Sequence, residues 1–143
     1  MDLETLRQFF HLSPFMRDLG VEPTAVSVGR VTAVLPMQDR FRQHSGHAHA
    51  GVQTTLADHC MGSAAQTQVA DGFWVLTADL KVSLLRPADG DRLVCEAWVI
   101  KPGRTLSFTE AEVWAERGPE GASQRTLVLK ASATMAVVAR DRA

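Results

Sequence analysis

The sequence predicts an α+β domain in which a curved antiparallel β-sheet wraps around one long central helix. Three observations carry this expectation. The stretch from Ala50 to Val69 is apolar on most sides when wound at about 100° per residue. After Asp71-Gly72 the period changes from helical to alternating, and four extended segments follow, separated by turn residues. A sheet with one apolar face needs a cover, and the chain offers one helix long enough to supply it.

Each element has its own signal. Leu3 to Phe10 places Leu3, Leu6, Phe9 and Phe10 on one side of a short helix that Ser13-Pro14 breaks. Pro14 suits the first position of a further turn, Phe15 to Leu19, which Gly20 ends. Ala25 to Leu35 reads as a valine-rich strand (Val26, Val28, Val31, Val34) closed by Pro36. Met37 to Gly46 is a polar, irregular approach to the central helix. Within that helix Val52, Leu56, Ala57, Cys60, Met61, Ala64 and Ala65 form a broad apolar arc, interrupted by Gln53 and Thr54. Asp58 lies at the edge of the arc, beside Thr55, Gly62 and Gln66. Ala50 to Val69 would span roughly 30 Å as a helix.

The strands follow in turn. The first puts Trp74, Leu76, Ala78, Leu80, Val82 and Leu84 on one face and Thr77, Asp79, Lys81 and Ser83 on the other. Pro87 and Asp89-Gly90-Asp91 turn the chain into Leu93 to Ile100, and Pro102-Gly103 turns it into Thr105 to Glu116. In that third strand Ser107, Thr109, Glu110 and Glu112 point to a more exposed edge or face. Beyond Gly118 to Gly121, Leu127, Leu129, Ala131, Ala133, Met135 and Val137 mark the fourth. Short turns between consecutive strands imply an antiparallel meander.

The totals bound the function. With 143 residues and no linker-like break, one domain over residues 1–143 is expected. A composition of 45% hydrophobic and 22% charged residues is ordinary for a soluble globular protein. A net charge of −1 supplies no general field for nucleic acid or anionic membrane, so neither is an expected partner. No apolar run approaches membrane-spanning length. Met1-Asp2-Leu3-Glu4 lacks the basic-then-apolar order of a secretory signal. Cys60 and Cys95 sit among apolar neighbours and read as buried thiols, and the expected location is cytoplasmic.

Candidate chemistry concentrates between His44 and Ala70. Four of the five histidines fall between His44 and His59, and Asp58 is the one formal charge from Gln43 to Ala70. Burying an unpaired carboxylate costs several kcal/mol, so an isolated acid among small apolar residues points to a task. The predicted helix starts after His49, so free N–H groups at Ala50 and Gly51 would face a ligand. Plainer roles stand beside these: Asp58 as a local hydrogen-bond acceptor, His49 as a structural donor, and His44 and His47 as loop residues. His59 lies about 100° round the helix from the acid and reads as packed or interfacial. His44-x-x-His47-x-His49, with Asp58 or His59 behind, has ligand types that zinc or iron would accept, but it completes no recognised spacing. No metal site is assigned.

Taken in order, these residues resemble the hotdog-fold acyl-CoA thioesterases, in particular the branch typified by the phenylacetate-pathway thioesterases. His49-Ala50-Gly51 followed by Leu56-Ala57-Asp58 is similar to that family's HGG…LAD pattern, with the acid nine residues after the histidine. Gln43, six residues before His49, and Gly46 match a common upstream pattern. Pro14-Phe15, Leu19-Gly20, Gly29, Leu35-Pro36, Leu80, Leu84, Arg86-Pro87, Gly90-Asp91 and Gly103-Arg104 recur in the expected order, so the resemblance covers nearly the whole chain. One departure is Ala50, where the family has glycine; alanine keeps the N–H, and its methyl bears on the acyl pocket and hence on substrate range.

The resemblance implies hydrolysis of an acyl or aryl thioester to free acid and coenzyme A. Asp58 would be the general base or the nucleophile, with Ala50 and Gly51 as oxyanion donors and Gln43 and His49 orienting water or thioester. Gly46, Met61, Arg86 and Arg104 are the substrate-binding candidates, the two arginines toward phosphates. No cofactor is implied beyond the coenzyme A carried by the substrate. The family's sites span a dimer interface, so a homodimer is expected, and a homotetramer beyond it. A non-catalytic acyl-thioester-binding module and a hotdog-fold hydratase or dehydratase are the rival functions.

Overall fold

Two short helices open the chain in the computed structural model, which describes residues 1–142. α1 (Leu3–Leu12) is capped by Asp2, whose carboxylate accepts the Thr5 N–H at 2.8 Å, and it buries Leu6 and Phe10. α2 (Pro14–Leu19) has Ser13 as its cap and Pro14 in its first turn, and stops at Gly20 in the left-handed region (φ 78°).

The valine-rich segment is two strands rather than one. β1 (Glu22–Ser27) and β2 (Arg30–Pro36) form an antiparallel hairpin that turns at Val28-Gly29. Gly29 has φ 72°, a left-handed backbone that favours glycine, and it stands close to the end of the Gln68 side chain. Its N–H donates to the Thr67 hydroxyl at 2.7 Å, tying the hairpin to the far end of the central helix.

The central helix, α3 (Ala50–Gln66), ends one turn earlier than its apolar pattern suggests. Thr67 is its C-cap: the hydroxyl donates back to Ala64 O at 2.7 Å, and the N–H makes the last helical bond, to Ser63 O. Four long strands follow, β3 (Phe73–Leu84), β4 (Arg92–Lys101), β5 (Leu106–Arg117) and β6 (Gln124–Ala139). The six strands form one antiparallel sheet in the order β1-β2-β4-β5-β6-β3. Only β4, β5 and β6 make the expected meander. β3 pairs with β6 at the far edge, because α3 carries the chain across the sheet before β3 begins. Residues 85–91 then cross back to β4, stitched to the entrance of α3 by Ala48 N–H to Ala88 O (2.9 Å) and Met37 N–H to Asp91 O (2.9 Å).

β5 is central rather than an edge, and its polar residues divide between faces. Ser107 and Thr109 are buried, while Glu110 and Glu112 lie on the outer face, where Lys130 reaches both at 3.3 and 3.4 Å. The core forms between the inner face and α3, with Leu56, Cys60 and Ala64 of the helix beside Leu35, Leu93, Cys95, Val113, Leu129 and Met135 of the strands.

β3 departs from its simple alternation. A bulge between Thr77 and Asp79 shifts the register, so Val75 packs inward before it and Leu80 and Val82 after it. Leu76 and Leu84 are left exposed. The outer edge of this strand is closed over its first residues by a side chain: Gln66 donates to Phe73 O (3.2 Å) and accepts the Val75 N–H (3.0 Å).

Candidate active site

The start of α3 is fixed from three directions. His49 N–H donates to Phe41 O (2.8 Å), Arg42 and Ala48 form an isolated bridge, and the buried Gln53 amide donates to Ala48 O at 3.1 Å. His49 is the N-cap residue, with extended backbone (φ −62°, ψ 140°). Its Nδ1 accepts the Gly51 N–H at 2.9 Å, so the neutral ring carries its proton on Nε2. This divides the expected pair of oxyanion donors. Gly51 N–H is taken by the cap, and Ala50 N–H has no hydrogen-bond partner among the described residues. It also separates the two glycines of the motif. A Cβ on residue 51 would lie 3.1 Å from His49 Nδ1, so Gly51 makes room for the ring, a constraint that does not apply at Ala50.

A cleft of about 410 Å³ opens at this helix end, lined by Gln43, His47, His49, Ala50 and Arg86 among others. Three candidates from residues 43–50 and Arg86 from beyond β3 therefore meet here. Arg86 is anchored by donation to Leu127 O at 2.9 Å. Gly46 does not line the cleft; in the left-handed region (φ 86°), it closes the turn in which its N–H donates to Gln43 O at 2.9 Å. Arg104 lies at the opposite end of β3, in a separate cleft with Phe73 and Val137. Met61 is corrected outright: it is fully buried in the core and has no surface to offer a substrate.

Asp58 stands two turns along α3 from Ala50, half-buried. Its Oδ1 accepts the Thr77 hydroxyl at 2.7 Å, across from β3. Thr77 was missed by the sequence reading, which put it on the outward face; the bulge beside it turns its side chain toward the helix. Eight residues of helix separate Ala50 from Asp58 by about 12 Å along the axis. One chain therefore cannot place both around one carbonyl.

The other histidines have plainer places. His47 Nδ1 is 3.1 Å from the Ser45 hydroxyl, and His44 is exposed. Among the described residues no three His, Cys, Asp or Glu side chains come together as a metal-binding group. His59 packs against α1, its ring edge-on to Phe10 at 4.4 Å and stacked with Phe9 at 6.2 Å, and its Nε2 is buried without a partner. Burial pushes this imidazole down from 6.5 to about 4. The unfolded chain takes up the proton near the upper value and the folded chain only near the lower. Stability from this group is thus full above pH 6.5 and falls as pH drops towards about 4. The loss is on the order of 3 kcal/mol. Thermal melts from pH 7 down to 4.5 should show this slope, and His59→Leu should flatten it.

The fold, a helix held in a curved antiparallel sheet with donors at its N-terminus and an acid two turns on, defines a hotdog-fold thioesterase. The family model described as the thioesterase superfamily matches residues 45–122, more than half of the chain. The chain belongs to the thioesterase superfamily. A thioesterase family protein from Silicibacter pomeroyi superposes with a TM-score of 0.87 at 33% identity, covering 94% of this chain and 96% of that one. A candidate esterase of Halobacterium salinarum is 34% identical over 100 residues, a match that spans 66%, just under two thirds, of either chain. Acyl-coenzyme A thioesterase 13 of Homo sapiens is 25% identical over 112 residues, covering 77% of this chain and 79% of that protein. No helix among the described residues is long and apolar enough to cross a membrane.

Proposed function

We propose that the chain is a single hotdog domain over residues 1–143 that hydrolyses acyl-CoA thioesters, in the phenylacetate-pathway branch of its superfamily. One observation carries the reading: an unpartnered N–H at Ala50 opens on a cleft with Gln43 and His49, at a helix end that favours negative charge. The Ala50 N–H receives the thioester oxygen as it gains charge. His49 Nε2–H and the Gln43 amide hold the thioester and water. Asp58, with Oδ1 held by Thr77, keeps Oδ2 free to take a proton from water or to attack the carbonyl carbon itself. By the first route the water oxygen adds to the carbonyl carbon, the C–S bond breaks and the thiolate leaves with the free acid formed; by the second the C–S bond breaks to leave an acyl–Asp58 anhydride, which a water then hydrolyses to the acid and restored Asp58. No cofactor enters these steps.

The 12 Å separation supports a site built from two subunits. β3 runs antiparallel to α3: its start meets Gln66, its middle meets Asp58, and its end, Leu84 to Arg86, lies beside Ala50. The two sheet edges differ. β1 is short and blunted by Pro23 and a bulge, whereas β3 is 12 residues long with exposed leucines. Pairing two β3 edges about a two-fold axis sets Asp58 of the partner subunit against this chain's Ala50, and brings Arg104 of one copy to the end of the site that holds Arg86 of the other. The assembly is a homodimer at least, with a homotetramer formed from two such pairs. Free buried thiols at Cys60 and Cys95 fit a cytoplasmic location.

Co-expression tests the shared site. Asp58→Asn and Ala50→Pro chains, each inactive alone, would form mixed dimers in which one of the two sites is wild type in both contributions. Recovery of thiol release in the mixture supports the two-subunit site. Two inactive variants that stay inactive when shown to be paired would overturn it.

A further inference from the structure

Gln53 breaks the apolar arc of α3, is only 4% exposed, and takes no part in the steps above. It stands on the wall of the cleft that opens at Ala50. A polar side chain so deeply placed is costly unless both ends of its amide find partners. Only one end does. Ala48 O accepts and cannot donate, so the amide nitrogen faces it, at 3.1 Å. Oε1 at the other end is buried and has no partner among the described residues. An apolar side chain would pack there without that cost, so the donor end is what the position retains.

The bond from that end closes a clamp. A peptide unit is planar, with C=O and N–H pointing opposite ways, so holding one pole aims the other. Two such planes meet at His49. The first carries Ala48 O, held by Gln53 Nε2, and His49 N–H, which donates to Phe41 O at 2.8 Å. The second carries His49 O and Ala50 N–H; the Val52 and Gln53 N–H groups donate to that oxygen at 3.1 and 3.3 Å. Gln53 therefore grips both planes, one with its side chain and one with its backbone. Any residue supplies the backbone bond; the side-chain bond needs this amide.

Between the two planes lie only the φ and ψ of His49, −62° and 140°. Given the thioesterase reading above, we infer that Gln53 is a positioning residue: its bond to Ala48 O fixes those angles and so aims the Ala50 N–H at the thioester oxygen. Deleting an oxyanion donor costs about 10²- to 10³-fold, and loosening one costs part of that.

Steady-state thiol release from acetyl-, hexanoyl- and phenylacetyl-CoA tests it in Gln53→Met and Gln53→Glu chains. Methionine is unbranched like glutamine and removes both amide ends. It is expected to lower kcat about tenfold on every thioester that the wild type cleaves, with KM within about twofold, because the donor acts on the carbonyl that all share. Glutamate supplies a readout that packing alone would not move. Its neutral carboxyl donates to Ala48 O, whereas its carboxylate repels that oxygen. Burial raises a carboxyl pKa, so the ratio of variant to wild-type kcat should climb as pH falls from about 8 to 5.5. Taking the ratio cancels ionisations common to both chains, those of Asp58 and of His47 and His49 on the same cleft.

A methionine variant with unchanged kcat, or with its loss carried by KM, overturns the inference, as does a glutamate ratio that does not move with pH. Amide exchange reads the clamp without substrate: the His49 N–H should exchange faster in Gln53→Met, and unchanged protection overturns the clamp. A wild-type chain that cleaves none of the three thioesters overturns the thioesterase reading, while exchange still decides the clamp.

Discussion

Replacing Asp58 with asparagine is expected to lower kcat by about 10³-fold while leaving substrate binding intact. Asparagine has the same shape, and its Oδ1 still accepts the Thr77 hydroxyl, so the local structure at the middle of β3 is preserved. What it loses is the capacity to take a proton or to form an anhydride with the acyl group. The measurement is thiol release under saturating acyl-CoA, beside calorimetric binding of a non-hydrolysable thioether analogue. Retained turnover would remove Asp58 from the chemistry. Lost turnover together with lost binding would make it a structural or substrate-holding residue instead.

Ala50→Pro is expected to reduce kcat by about 10²- to 10³-fold, the usual effect of deleting one oxyanion donor. The substitution is unusually clean here. Ala50 is the first residue of α3, the helix position at which proline is best tolerated, and it has no N–H bond to lose. His49 already has the extended backbone that a residue before proline prefers (φ −62°, ψ 140°). The melting temperature should therefore stay near that of the wild type while turnover falls. An active Ala50→Pro enzyme would place the oxyanion donor elsewhere.

Much of this was legible in the sequence. The central helix and the four long strands follow from periodicity and turn residues, and Gln43, His49, Ala50 and Arg86 were singled out by the family resemblance. What escaped was set by contacts between distant segments. The Val28-Gly29 turn was hidden inside a valine-rich run, and the left-handed backbone that calls for glycine there appears only in the folded hairpin. The inward turn of Thr77 depends on a bulge opposite Met135 and Thr134, which no local pattern announces. Met61 reads equally well as a wall of a site or as core, and packing decided for the core. The division of labour between Ala50 and Gly51 came from the orientation of one imidazole ring, which spacing does not encode.

The Gln66 amide has a consequence for how copies of the chain associate. By occupying Phe73 O and Val75 N it acts as a stub of a seventh strand, leaving only the later residues of β3 open to another backbone. A strand arriving in an arbitrary register would meet this plug and leave polar groups unpaired. In the proposed dimer, strand addition at this edge is therefore a short, self-limiting contact that does not propagate into a filament.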